Sequence, residues 1–186
     1  MNMIFLLLAP LIISCSQPGA NQEAGPGDSI QVTAEPVDSL QHNDGTVIQT
    51  GNTTPSDLLA FAQSQVGVPY KYGSTDPGAG FDCSGFITYV FNHFNIQVPR
   101  SSVDFTNVER EIDPATAKPG DLILFTGTDS TTRVVGHMGI VTSVDDGVIS
   151  FIHSSSGKAN GVTVTPLNSY YQGRFMKVIR VFRQND

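Results

Sequence analysis

Positive charge is in short supply in this sequence. Ten Lys and Arg stand against seventeen Asp and Glu, for a formal net charge of −7. A nucleic-acid-binding module carries a basic patch, so no nucleic-acid partner is expected. The imbalance is local. Between Ser16 and Asn52 there are five acids and no Lys or Arg, whereas from Thr53 onward twelve acids face ten bases. The acidity therefore belongs to a solvated stretch and says little about the substrate.

Cysteine is scarce too, with only Cys15 and Cys83. Cys15 closes a hydrophobic leader and Cys83 opens an expected helix, so the two are not read as a disulfide. No CxxC or HExxH pattern occurs, which removes the common metal sites, and no cofactor is implied. No apolar run reaches the roughly 20 residues that span a bilayer. There is no internal repeat.

What is present begins with an apolar run from Ile4 to Ile13, broken only by Pro10. Its length suits the h-region of an export signal. Ile12-Ile13-Ser14-Cys15 resembles a bacterial lipobox, which implies lipidation of Cys15 and anchoring to the inner or outer membrane. Met1-Asn2-Met3 departs from the pattern in lacking Lys or Arg. Residues 16–52 are rich in Gly, Ser, Gln, Asn, Asp and Pro, a composition too polar to offset chain entropy, so a disordered tether is expected. His42 falls in it and is read as solvated. The folded domain is expected over 53–186.

Thr54-Pro55-Ser56-Asp57 reads as a helix start, with Thr54 as cap and Pro55 at the first helical position. Leu58, Leu59, Phe61, Ala62, Gln65 and Val66 follow, and Gly67 stops the helix. Residues 68–82 are rich in turn signals. A second helix is predicted from Cys83 to His93, with Phe86, Ile87, Val90, Phe91 and Phe94 as its apolar stripe. A weaker helix is expected over 103–110. Strands are expected at 121–125, 137–144, 148–153, 162–164 and 174–182, with a hairpin turn at Asp145-Asp146-Gly147. Helices first and strands afterward indicate an α+β domain, its helices packed on one side of an antiparallel sheet.

Cys83 sits where a Gly-rich loop becomes an apolar helix. The positive end of the helix dipole favours thiolate there, and first-turn N–H groups can face an oxyanion beside the sulfur. A nucleophilic cysteine needs a base and a third group to orient that base. His137 and His153 fall on the paired strands, and a turn at 145–146 sets 138 nearly opposite 153, to within one or two residues of register. They can supply both parts. His93 lies ten residues along the helix, about 15 Å from its start, so it is read as structural or surface.

Five segments then occur in the order seen in NlpC-type cell-wall cysteine peptidases. They are Gly67-Val68-Pro69-Tyr70-Lys71-Tyr72-Gly73, Phe81-Asp82-Cys83-Ser84-Gly85-Phe86, Val98-Pro99-Arg100-Ser101-Ser102, Pro119-Gly120-Asp121-Leu122 and Gly136-His137-Met138-Gly139-Ile140-Val141. The resemblance covers about residues 55–183. It implies a papain-like fold, with Cys83 as nucleophile, His137 as base and His153 orienting it. It also implies cleavage of peptidoglycan stem peptides after D-γ-glutamate, before a diamino acid. Asp82 and Ser84 match positions that help hold the substrate's free amino end, and Tyr70 or Tyr72 line the same cleft. Gly73-Ser74 replaces the glycine pair usual after the tyrosines.

Two other readings stay open at this point. One is a wall amidase or acyltransferase using the same Cys/His site. The other is a wall-binding module without catalysis, against which the intact Cys83, His137 and His153 count. Nothing indicates an oligomer, so a monomer is expected.

Overall fold

The computed structural model describes residues 46–108 and 110–186. The leader, Cys15 and His42 lie outside them. The end of the expected tether lies inside: Thr46 bridges Val108, and Ile48 is buried in the core. The fold therefore takes in residues ahead of Thr53. The polar average of the stretch had hidden one apolar side chain with somewhere to go.

Helix α1 (Pro55–Gln63) starts as its sequence predicts. The Thr54 hydroxyl accepts from the Asp57 N–H while the Asp57 carboxylate reaches back to Thr54, a reciprocal cap. It ends at Gln63, before Gly67, and the Ser64 hydroxyl donates to the Phe61 carbonyl there. Helix α2 (Cys83–His93) is capped by Asp82, and Phe86, Ile87, Val90 and Phe91 are fully buried. Burying each such side chain is worth about 1.5–3 kcal/mol, enough to fix which face of α2 meets the sheet. The expected helix over 103–110 is a 3₁₀ helix, Ser102–Asn107, followed by a short strand.

Two small strands, β1 (Thr75–Asp76) and β2 (Gly80–Phe81), pair ahead of α2. The main sheet has six antiparallel strands: β3 (Arg110–Ile112), β4 (Leu122–Thr126), β5 (Val135–Asp145), β6 (Val148–Ser155), β7 (Gly161–Pro166) and β8 (Phe175–Arg180). Their spatial order is β3-β8-β4-β5-β6-β7. Strand β4 reads as a continuous apolar run because both its faces are covered. Leu122 and Leu124 join the cluster under the helices. Ile123 and Phe125 join a second cluster with Phe151, Tyr171 and Val178. Tyr171 belongs to a short helix, α3 (Ser169–Gln172).

The β5–β6 hairpin turns on Asp146 and Gly147, with φ of +49° and +79°, the backbone that a two-residue hairpin turn requires. Its register sits one residue from 138 opposite 153, within the one or two residues expected. Val144 faces Ile149, a bulge follows between Val141 and Ser143, and Ile140 faces Ile152. Gly139, and not Met138, thus comes beside His153. A Cβ on Gly139 would stand 3.2 Å from the Cβ of His153 and 2.7 Å from the Phe151 ring.

Candidate active site

Cys83 is the first residue of α2 and is half-buried. Asp82 holds that helix end. Its Oδ1 accepts the Gly85 N–H at 2.6 Å, and the Arg100 guanidinium grips both oxygens, at 3.1 Å to Oδ1 and 2.7 Å to Oδ2. Arg100 also donates to the Ser84 hydroxyl at 3.0 Å. The N–H groups of Cys83 and Ser84 remain turned to the sulfur, where an oxyanion formed beside it would find them. Gly85 is tightly covered, since a Cβ there would lie 2.1 Å from the Ser74 carbonyl oxygen.

On the sheet side, β4 and β5 slip register at the start of β5: Phe125 faces His137, but Thr126 faces Val135. Gly136 is the extra residue. Such bulges re-aim the side chains beside them. The Gly136 carbonyl accepts from the Cys83 thiol at 3.8 Å, so the residue preceding His137 touches the sulfur directly.

His137 Nε2 lies 2.9 Å from His153 Nδ1, and His153 Nε2 lies 2.9 Å from the Thr165 hydroxyl on β7. One tautomer set leaves His137 Nδ1 able to take a proton. In it His137 Nε2–H donates to His153, and His153 Nε2–H donates to Thr165. Aromatic rings enclose the relay. Tyr171 stacks on His137 at 6.1 Å and meets His153 edge-on at 5.4 Å, while Phe151 lies 4.8 Å from His153.

The other sequence candidates separate. Asp82 and Ser84 are buried beside Cys83 and bonded to Arg100, and Asp82 also accepts from the first turn of α2. Tyr70 is half-buried, and the charges of Cys83 and Asp82 reach its phenol, whose pKa is raised chiefly by burial. Tyr72 is 88% exposed. His93 is exposed and stacks on Phe61 at 3.6 Å. Arg100 and Thr165 had no assigned role. Arg100 carried a signal, being the one basic residue between Lys71 and Arg110. Thr165, a threonine near the end of a strand, carried none.

Electrostatics alter one expectation. Burial pushes the Cys83 thiol above its ordinary 9.0, and the Asp82 carboxylate adds to this. The N–H groups of Ser84 and Cys83, with Arg100, pull the other way but do not prevail. Burial, His153 and Arg174 together hold His137 well below 6.5, and burial with Arg174 holds His153 down at about 4. Both shifts favour the uncharged pair, a thiol with a neutral imidazole. The signs give the pH profile. Protonating His137 removes the base only well below pH 6.5, and ionising Cys83 disrupts the pair only above pH 9. A plateau in kcat/KM between those limits is expected, with thiolate ultraviolet absorbance appearing only on its alkaline side. Thiolate absorbance at neutral pH that vanishes in His137→Ala would contradict it.

A cysteine at a helix start, in contact with the sheet strand that carries an imidazole relay in an α+β fold, is the layout of a papain-like cysteine peptidase. The chain belongs to the NlpC/P60 family, whose model matches residues 67–180. A γ-DL-glutamyl hydrolase of Bacillus subtilis is 32% identical over 134 residues, which are 72% of this chain and 32% of that protein. The peptidoglycan endopeptidase RipB of Mycobacterium tuberculosis is 37% identical over 122 residues, 59% of this chain and 46% of that protein. The chain thus spans between a third and a half of the length of these relatives. The crystal structure of a Bacillus cereus NlpC/P60 family protein superposes with a TM-score of 0.62 at 28% identity, covering 72% of this chain and 42% of that one.

Proposed function

We propose that this chain hydrolyses peptidoglycan stem peptides at the D-γ-glutamyl–diamino acid bond, through an acyl-enzyme on Cys83. The observation that carries this reading is the Cys83 thiol against the carbonyl of Gly136, the residue next to His137, together with the hydrogen bonds from His137 through His153 to Thr165. Relatives named as a γ-DL-glutamyl hydrolase and a peptidoglycan endopeptidase support the bond type and the polymer. His137 Nδ1 takes the thiol proton as sulfur attacks the amide carbon. The N–H groups of Cys83 and Ser84 receive the oxyanion. His137, now cationic and steadied by His153, gives the proton to the leaving amine. Water activated by the same ring then releases the acid. Arg100 and Asp82 hold the first turn of α2 in place, and Tyr70 flanks the acyl side.

The same reading sets the protein in the bacterial envelope as a lipid-anchored monomer, with Cys15 as the lipidated residue and the stretch after it as the tether. Digestion of purified peptidoglycan, with Cys83→Ala as control, tests the reaction. Mass analysis should find fragments ending in D-glutamate and others with a new amino end on the diamino acid. Fragments with other termini would favour the amidase reading.

A further inference from the structure

A cavity of about 770 Å³ borders His137, and Cys83 is not among its lining residues. Tyr170, Tyr171, Thr163 and Thr165 form part of its wall. Its lining also carries two cations, Arg174 and Lys158, and no carboxylate. Arg174 is only 7% exposed, yet its bonds all go to uncharged acceptors. Nε donates to the Gly127 carbonyl at 2.8 Å, Nη1 to the Tyr170 hydroxyl at 2.7 Å and Nη2 to the Thr126 carbonyl at 2.9 Å. Its guanidinium also lies 5.0 Å from the Tyr170 ring centre. Among the described residues the ion pairs use Arg100, Arg110, Lys177 and Arg180, not Arg174. A guanidinium has five N–H donors, so two remain. A buried charge without a counter-ion is costly, and a protein retains one where a ligand completes it.

Which part of a substrate reaches this cavity follows from the proposed reaction, on which the inference rests. His137 must protonate the leaving amine, so the residue bearing that amine passes against its ring. We infer that this cavity, bordered by His137 and not by Cys83, lies on the leaving-group side and binds the leaving segment, and that Arg174, assisted by Lys158, pairs with a free carboxylate it carries. That favours a diamino acid with a side-chain carboxylate, or a short stem with a free C-terminus. Lysine, whose side chain ends in an ammonium group, would face two like charges.

Three synthetic γ-D-glutamyl stem peptides test this, each with a diamino dicarboxylic acid after the glutamate. One has both carboxylates free, one has the side-chain carboxylate as an amide, and one has the C-terminal carboxylate as an amide. Amidating the carboxylate that Arg174 holds should lower kcat/KM about tenfold or more, the loss typical of one charge-assisted hydrogen bond. The affected peptide identifies which carboxylate it is. Arg174→Gln should erase the difference, with its melting temperature reporting on folding. Lys158 is exposed, so Lys158→Glu tests the same point without disturbing the core and should shrink the difference several-fold. Equal cleavage of all three peptides overturns the inference and leaves the proposed reaction standing, as does a penalty untouched by Lys158→Glu. Cleavage of none by the wild type overturns both.

Discussion

Replacing Cys83 by alanine should lower kcat for stem-peptide hydrolysis by roughly 10⁴-fold or more, and His137→Ala should do the same. The two act as one unit. Without the imidazole the thiol keeps its proton, since burial and Asp82 have raised its pKa. Without the sulfur the imidazole has nothing to activate. The double variant should therefore be no worse than either single one, within a few-fold. His153→Ala should cost less, about 10²-fold. It removes the acceptor that selects the His137 tautomer, while Tyr171 and Phe125 still confine the ring. Thr165→Val should cost less again, because that hydroxyl acts through His153. Steady-state kinetics on one defined peptide, with circular dichroism and melting curves, resolves the series. Full activity in Cys83→Ala or His137→Ala would end the mechanism. Loss at His153 as deep as at His137 would reassign the two histidines.

The parts of this site legible in the sequence are those specified locally. The Gly-rich loop before Cys83 and the stripe from Phe86 to Phe91 point to one helix start at Cys83, and it forms there, with Asp82 as its cap. The strand candidates also formed, because short apolar runs bounded by Gly, Pro and Asp leave few alternatives. What escaped depends on contacts between distant segments. The bulge between Val141 and Ser143 shifts the hairpin by one residue, and the one at Gly136 turns its carbonyl to the sulfur. Neither has a local signature. Arg100 meets Asp82 across eighteen positions, and Thr165 meets His153 only through the pairing of β6 with β7. The charge balance at Cys83 escaped for a related reason. Helix position can be read from sequence, but the burial that opposes it is a property of the packed fold.

Asp121→Ala should remove about 3–5 kcal/mol of stability, the cost of stripping one partner from a buried ion pair. Asp121 is fully buried just ahead of β4, and Arg180 at the end of β8 is 9% exposed. The carboxylate accepts from Arg180 Nε at 3.3 Å and Nη2 at 3.2 Å, and from the Lys118 N–H at 2.8 Å. Alanine would leave that guanidinium with the Thr116 carbonyl and with Asp186, a half-exposed acid 3.9 Å away. That residual partner places the loss toward the lower end of the range. Asp121→Asn keeps an acceptor for Lys118 and should cost less. Asp121→Ala combined with Arg180→Met should recover much of the loss, because no unpaired charge then stays buried. Urea unfolding of the four proteins measures this, and a loss under about 1 kcal/mol in Asp121→Ala would mean the pair contributes little. Activity per folded molecule is a separate matter. The backbone of Asp121 receives the Val141 N–H at 2.8 Å, on the strand that carries His137. Because that bond uses main-chain atoms, the substitution keeps it. Asp121→Ala should therefore lower the folded fraction and the melting temperature while kcat of the remaining folded enzyme stays near that of the parent.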